Sequence, residues 1–549
     1  MITEPSSTET SPQGHHHRRE RPQGALEWPR ENARWLFILA EALTAFIVAF
    51  GFAAASYGIN VNPLVRIGQV SALAALQFRF ALAGILLLVV AAAGTRLRPG
   101  PGRELLFRCL PAAVAGLATG LMAAGLAVSL HGTPWGVFAN KGDMRVLIAW
   151  ANNLSKLPRT YPPLPLYLLH LTAQVTGLPT AYAMKYFQIV TLAAFGPIAY
   201  LAWRLVLSPL PAVVIGTVAA VVLAEPYKPY EEIVLVALVP VLIRFVQTMR
   251  SADKHSMTWM IGSGVLLGAG LGLLFEAYFG WFYWSALGTV AAVLLTFPWR
   301  KRADWLRTLA YLGAACAAFV LITIENLPTL VTGGEGTDAY FYFDVYTPPT
   351  YFAHWFGDTP PAGGAITPWP PLGDLGGVAL FVLLLFAGLA VAVGFARHDS
   401  LVIVVGTIVA SAWIMRFEIA QHMFATGTVG LWQRSAAQIL YGLLVVTGYV
   451  VWHATRRALH SEFLAVQMQR LRSGGALIGV LVGTLLLFAS IGDATVNAWM
   501  PAATGHGLLT QTSFSTPMLN GSCPRFTTKS GNYCKIPADH LLTGDLPIG

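Results

Sequence analysis

The sequence predicts an all-α polytopic membrane protein, a bundle of about thirteen transmembrane helices with interfacial helices in its first long external loop. Three observations carry that prediction. Of 549 residues, 55% are hydrophobic and only 11% are charged, and the mean hydropathy is +0.59, a balance foreign to water-soluble globular chains of this size. Apolar runs of about 20 residues, the length that crosses a bilayer, recur from Trp35 to Ile491. A backbone in lipid must also satisfy its own hydrogen bonds, which selects helices for such runs.

Residues 1–34 contain "HHHRRERPQG" and lack the short apolar core and cleavage site of a signal peptide. They read as a disordered basic cytosolic tail, in which three adjacent His without other ligands hold metal weakly. Residues 35–492 form the transmembrane domain, and residues 493–549 a short tail. Lys and Arg in short loops stay on the cytosolic side. With the N-terminus inside, "TRLRPGPGRELLFR", "PWRKRADWLR" and "TRRALHSEFLAVQMQRLR" all fall inside as well. The expected arrangement is therefore a multi-pass plasma-membrane protein with a cytoplasmic N-terminus and an extracytoplasmic C-terminus. Cys523 and Cys534 lie in that outer tail, where they could close a disulfide, whereas Cys109 and Cys316 fall in apolar segments.

Within the membrane domain, Glu41 and Arg79 sit at similar depths in the first two helices, and the hairpin predicts that they pair. The run from Ala212 to Ala224 is short for a span. "GSGVLLG" reads as a small-residue face for close helix packing, not a nucleotide loop.

The long external segments, at about 131–184 and 327–376 together with the tail, carry acids, aromatics and prolines. In the first, Met144, Leu147, Ile148, Ala151 and Leu154 recur at helical spacing, which predicts an amphipathic helix lying in the interface. "TYPPLPLYLLHLTAQVTG" follows, with an apolar run too short to span, and reads as a second interfacial or re-entrant helix. The second external segment is an aromatic belt with three further acids, Asp338, Asp344 and Asp358.

Asp143 opens the amphipathic helix. It could accept a proton from an attacking hydroxyl or cap the helix through backbone N–H groups, and position alone favours the cap. Cations near the outer boundary are Lys141, Arg145, Lys185, Lys228, Arg416 and Arg434. Any of them could hold a lipid phosphate, though snorkelling to head groups is the commoner role. "AEPYKPYEE" places Glu225, Tyr227, Lys228 and Glu231 beside an outer helix end, with Glu276 and Glu325 at others. Such acids are costly unless they face a cavity or a partner. No ligand spacing for a metal and no phosphate loop occurs, so neither a metal nor a nucleotide cofactor nor a nucleic-acid partner is expected.

Five stretches in order, "RIGQVSALAAL", "GDMR" followed by "TYPPLPLYLLHLTAQVTGLPTAYAMKYFQ", "AEPYKPYEEIVLVALVP", "GSGVLLGAGLGLLFEAYFG" and "GLWQRSAAQILYGLL", span about residues 60 to 450. Together they resemble the GT-C glycosyltransferases that use polyprenyl-phosphate sugars, and more narrowly the actinobacterial galactan 5-O-arabinofuranosyltransferases. The resemblance implies transfer of an arabinofuranosyl unit from decaprenylphosphoryl-arabinose to a hydroxyl of cell-wall galactan or a related glycan, by one inverting displacement. It implies Asp143 as the catalytic base, with Arg145, Tyr161, Lys185, Glu225, Tyr227, Lys228 and Arg434 as substrate-binding residues. The chain departs from the family in a shorter first loop and a closer Asp-to-Arg spacing. The family's large C-terminal domain, a natural place to hold a polysaccharide, is here a tail of about fifty residues. The rival readings are a transporter or flippase, which would place its charges near the midplane and show repeat symmetry, and an inactive envelope scaffold.

Overall fold

The computed structural model describes residues 30–328, 380–460, 475–501, 506–527 and Cys534. Among them the fold is helical without a strand, an all-α polytopic membrane protein. Among the described residues ten helices are long and apolar enough to cross a membrane, and three shorter apolar ones accompany them. Three long helices come first: α1 (Arg30–Tyr57), α2 (Arg66–Thr95) and α3 (Pro101–Ser129). The loop helices α4 (Gly142–Asn152) and α5 (Leu164–Thr176) lead into α6 (Thr180–Trp203). The short α7 (Pro209–Val221) is followed by α8 (Pro229–Arg250), α9 (Met257–Ala277), α10 (Gly280–Thr296) and α11 (Arg302–Thr323). Then come α12 (Leu380–Ala396), α13 (Ser400–Thr426), α14 (Trp432–His460), α15 (Gly475–Trp499) and the small α16 (Gly507–Ser515).

The core is centred on α3, whose most apolar stretch is buried throughout, and which packs against α1, α2, α6 and α15. Its run of Ala and Gly is what lets so many helices approach it. The outer helices α1, α2, α9, α11 and α15 bury only one side and turn Leu, Ile and Phe outward, the surface a lipid solvent favours.

The small-residue face in α9 does what its composition predicts. Gly264 and Gly268 lie against the backbone of α11, and a Cβ on Gly268 would come within 2.2 Å of the Ala315 carbonyl oxygen. Gly268→Val must push the two helices apart, because the obstacle is backbone. The expected loss is about 1–3 kcal/mol, read as a lower thermal midpoint of the detergent-solubilised protein; an unchanged midpoint would refute the close packing.

Several expectations need correction. The first helix begins at Arg30, before the apolar stretch that starts at Trp35, because the preceding polar residues continue its turns. At the other end α15 runs past residue 492 to Trp499. Glu41 does not pair with Arg79. It turns inward from α1, where its carboxylate receives Arg204 Nε at 2.6 Å, Arg204 Nη2 at 3.1 Å and the Tyr200 hydroxyl at 2.9 Å, with Arg108 Nη1 at 3.5 Å. Arg79 instead donates to the Ala55 carbonyl at 2.8 Å. The reason is packing: α1 seats on α3 and α6, so its inner face meets the cations of those neighbours. The weak span expected at 212–224 is α7, whose residues Ala212–Thr217 form π turns, and which is too short to cross alone.

The amphipathic helix is α4, and Met144, Leu147, Ile148 and Ala151 are buried as the spacing predicts. Their partners are Trp135, Leu166, Leu169 and Met184, so the apolar face lies on protein instead of lipid. By contrast α5 leaves Tyr167, Leu168, Leu171 and Val175 exposed, as an interfacial helix would. The tail folds back onto the first loop. The Phe138 amide donates to the Leu509 carbonyl at 2.7 Å, Trp135 Nε1 to the Pro517 carbonyl at 3.1 Å, and the Arg525 amide to the Gly132 carbonyl at 2.8 Å. Cys523 and Cys534 are joined in a disulfide. Asp338, Asp344 and Asp358 of the second long segment lie outside the described residues.

Candidate functional site

The site begins where the chain enters α8. Pro226 and Pro229 stiffen the segment, Pro229 stands at the first helical position, and Glu231 and Glu232 occupy the first turn, where the helix dipole favours acids. Lys228 and Glu231, three residues apart, lie on one side, with Nζ 3.6 Å from Glu231 Oε1. The same Nζ reaches out of the helix to Asp143 Oδ2 of α4 at 2.9 Å. The second Glu231 oxygen takes Arg434 Nη2 of α14 at 2.8 Å. Arg434 Nε donates to the Tyr278 hydroxyl at 2.9 Å. Asp143, Lys228, Glu231 and Arg434 thus alternate in charge along one continuous chain of contacts, closed by a phenol.

Burial is deepest in the middle of that chain. The Asp143 side chain is 69% exposed, Lys228 8%, Glu231 3% and Arg434 26%. A carboxylate as deeply buried as Glu231 is tolerable only with both cations in place. Trp281 Nε1 further anchors it by donating to its backbone carbonyl at 2.6 Å. Tyrosines line the chain. Tyr161, from the Tyr-Pro-Pro turn, shares a 2.7 Å hydrogen bond with the Tyr230 hydroxyl, and Tyr227 sets its ring edge-on to Phe138 at 5.4 Å.

The electrostatics follow from this packing. Burial alone would pull Lys228 down, but Glu231 first, then Tyr161 and Asp143, hold it above the ordinary lysine range. It remains a positive charge near neutrality, fit to orient a carboxylate and unfit to act as a base. Burial pushes Tyr161 up to about 12, against the pull of Lys228, and likewise raises Tyr227 and Tyr278. These phenols therefore stay protonated, able to donate hydrogen bonds to a sugar or a phosphate.

Of the residues expected from sequence, the structure brings together Asp143, Tyr161, Tyr227, Lys228 and Arg434. Three stand apart from the network. Lys185 is buried inside α6 and donates to the Leu130 and Thr133 carbonyls at 2.9 Å each, pinning the end of α3. Arg145 and Glu225 make no hydrogen bond or ion pair with the network among the described residues. The capping role for Asp143 is not adopted: Lys141 is the N-cap of α4, without a side-chain cap bond, and the Asp143 side chain goes to Lys228.

Three participants had no assigned role in the sequence reading: Glu231, Tyr230 and Tyr278. The spacing of Lys228 and Glu231 at the start of a helix signalled a pair; nothing local signalled the partnership with Arg434. Among the described residues no group of three or more His, Cys, Asp or Glu is placed to hold a metal ion. Groups suited to an anion include the guanidinium of Arg434 and the Tyr278 phenol beside it. The fold and the paired charges at its helix ends define a multi-pass helical membrane protein with a polar constellation at one end of the bundle. The chain matches no family model and no curated protein.

Proposed function

We propose that the chain is a membrane glycosyltransferase that moves an arabinofuranosyl unit from decaprenylphosphoryl-arabinose to a hydroxyl of cell-wall galactan or a related envelope glycan, at the outer face of the plasma membrane. The observation that carries the reading is the solvent-facing carboxylate of Asp143, fixed at 2.9 Å by the buried Lys228 and linked through Glu231 to Arg434.

In this reading Asp143 takes the proton of the acceptor hydroxyl as its oxygen bonds to the anomeric carbon. The bond from that carbon to the lipid phosphate oxygen breaks, its electron pair leaves with the phosphate, and Arg434 balances the charge that develops there. One displacement inverts the anomeric centre. Tyr161 and Tyr227 offer walls and hydroxyl donors for the sugar. A carrier would be expected to concentrate its charges near the midplane; the charges linked to Asp143 lie instead at the start of α8, the start of α14 and the end of α9, which favours an interfacial reaction.

The test uses membranes containing the chain, radiolabelled decaprenylphosphoryl-arabinose and a galactan acceptor. Wild type is expected to label the acceptor, and Asp143→Asn to do so at least about a hundredfold more slowly. Equal labelling by both would remove Asp143 as the base, and none from either would point to another acceptor, a transporter or a scaffold.

A further inference from the structure

We infer that Gln188 is a positioning residue that sets the separation between the two backbone arms carrying Asp143 and Lys228, an inference that rests on the reading of Asp143 as base. Gln188 lies in α6 with no exposed surface. Its Oε1 accepts the Val137 amide at 2.8 Å, and its Nε2 donates to the Tyr227 carbonyl at 2.9 Å. Val137 belongs to the arm that runs into Asp143, and Tyr227 immediately precedes Lys228. One buried amide therefore ties together the two segments whose side chains meet at Asp143 and Lys228.

The arm that it holds would not keep its shape unaided. Phe138 and Ala139 follow Val137 with φ of 64° and 45°, left-handed values that side chains disfavour and that persist only where the surroundings impose them. The surroundings do so here. The Phe138 amide is held by the Leu509 carbonyl, its ring rests on Tyr227, and Gly136 is seated so closely that a Cβ there would lie 2.6 Å from Gln188 Oε1. A carboxamide suits the place because it offers one acceptor and one donor. A glutamate keeps the acceptor and, held neutral by burial beside a carbonyl, offers one O–H in place of the amide donor, whereas a methionine of similar length loses both. With neither bond, a buried N–H and a part-buried C=O lose their partners, and the arms gain freedom to part.

The experiment compares wild type, Gln188→Met and Gln188→Glu by hydrogen exchange of a peptide that begins at or before Thr133 and runs through the Val137 amide, and by transfer kinetics in the assay above. Gln188→Met is expected to exchange the Val137 amide at least about tenfold faster and to lower kcat about 10- to 100-fold, as a small misplacement of a reacting group does. KM for the lipid donor should change less than kcat, since Gln188 has no exposed surface and reaches the site only through the two arms. Gln188→Glu should keep the Val137 amide protected and recover part of kcat. Unchanged protection in Gln188→Met overturns the tie; faster exchange with unchanged kcat overturns the positioning role. If Asp143→Asn transfers normally, the reading of Asp143 as base fails, and if wild type transfers nothing, the galactan-transfer reading fails; either result takes the catalytic part with it, while the tie is still judged by exchange alone.

Discussion

Glu231→Ala is expected to destabilise the protein by about 3–5 kcal/mol and to abolish transfer, because it removes the anion shared by two cations in the buried part of the site. Lys228 would keep one ion pair, to the exposed Asp143, and Arg434 its hydrogen bond to a neutral phenol. An ammonium that is 8% exposed would then hold its charge at a desolvation cost that Asp143 alone does not offset. The two charges that orient the base and face the leaving group would also be free to shift. Glu231→Gln separates the effects. It preserves volume, and Trp281 still finds its acceptor, which is backbone. Its loss of stability should be smaller, while its loss of transfer should approach that of the alanine variant. Thermal inactivation half-life in detergent reads the first effect, since unfolding of such proteins is commonly irreversible, and acceptor labelling reads the second. If Glu231→Ala inactivated no faster than wild type and still transferred, the network would be incidental.

Much of the fold was legible because the bilayer enforces it. Apolar length names the long spans, and the spacing of Met144, Leu147, Ile148 and Ala151 names the buried face of α4. What that face touches was not legible: a stripe of that spacing fits lipid or protein equally, and only the placement of Trp135, Leu166 and Met184 decides. The candidate site shows the same divide. Lys228 and Glu231 are neighbours in sequence, so their pairing follows from helix geometry. Glu231 and Arg434 belong to helices far apart in the chain, and nothing in either stretch says that α8 and α14 present those residues to each other. Lys185 looked like the others because it is a cation near a helix start; its two carbonyl partners come from the end of α3 and the turn after it.

Glu41 shows how depth in the membrane differs from facing, and its substitution is the second large effect. By depth along two adjacent helices it matched Arg79, and such a pair would lose about the same stability from either end. In the fold Glu41 is fully buried and satisfies Arg204, Tyr200 and Arg108, whereas Arg79 makes one bond to a carbonyl. Glu41→Ala should therefore cost about 3–5 kcal/mol, by leaving Arg204 uncompensated, and Arg79→Ala only about 1 kcal/mol. The double variant Glu41→Ala with Arg204→Ala should recover part of the loss, since it removes the stranded charge along with its partner. Thermal midpoints of wild type, Glu41→Ala, Arg79→Ala, Arg204→Ala and the double variant in one detergent make the comparison. Equal losses from Glu41→Ala and Arg79→Ala would restore the hairpin pair. A double variant as damaged as the sum of its parts would show that Glu41 and Arg204 do not act as a unit, and that α1 is fastened to α6 by apolar packing instead of charge.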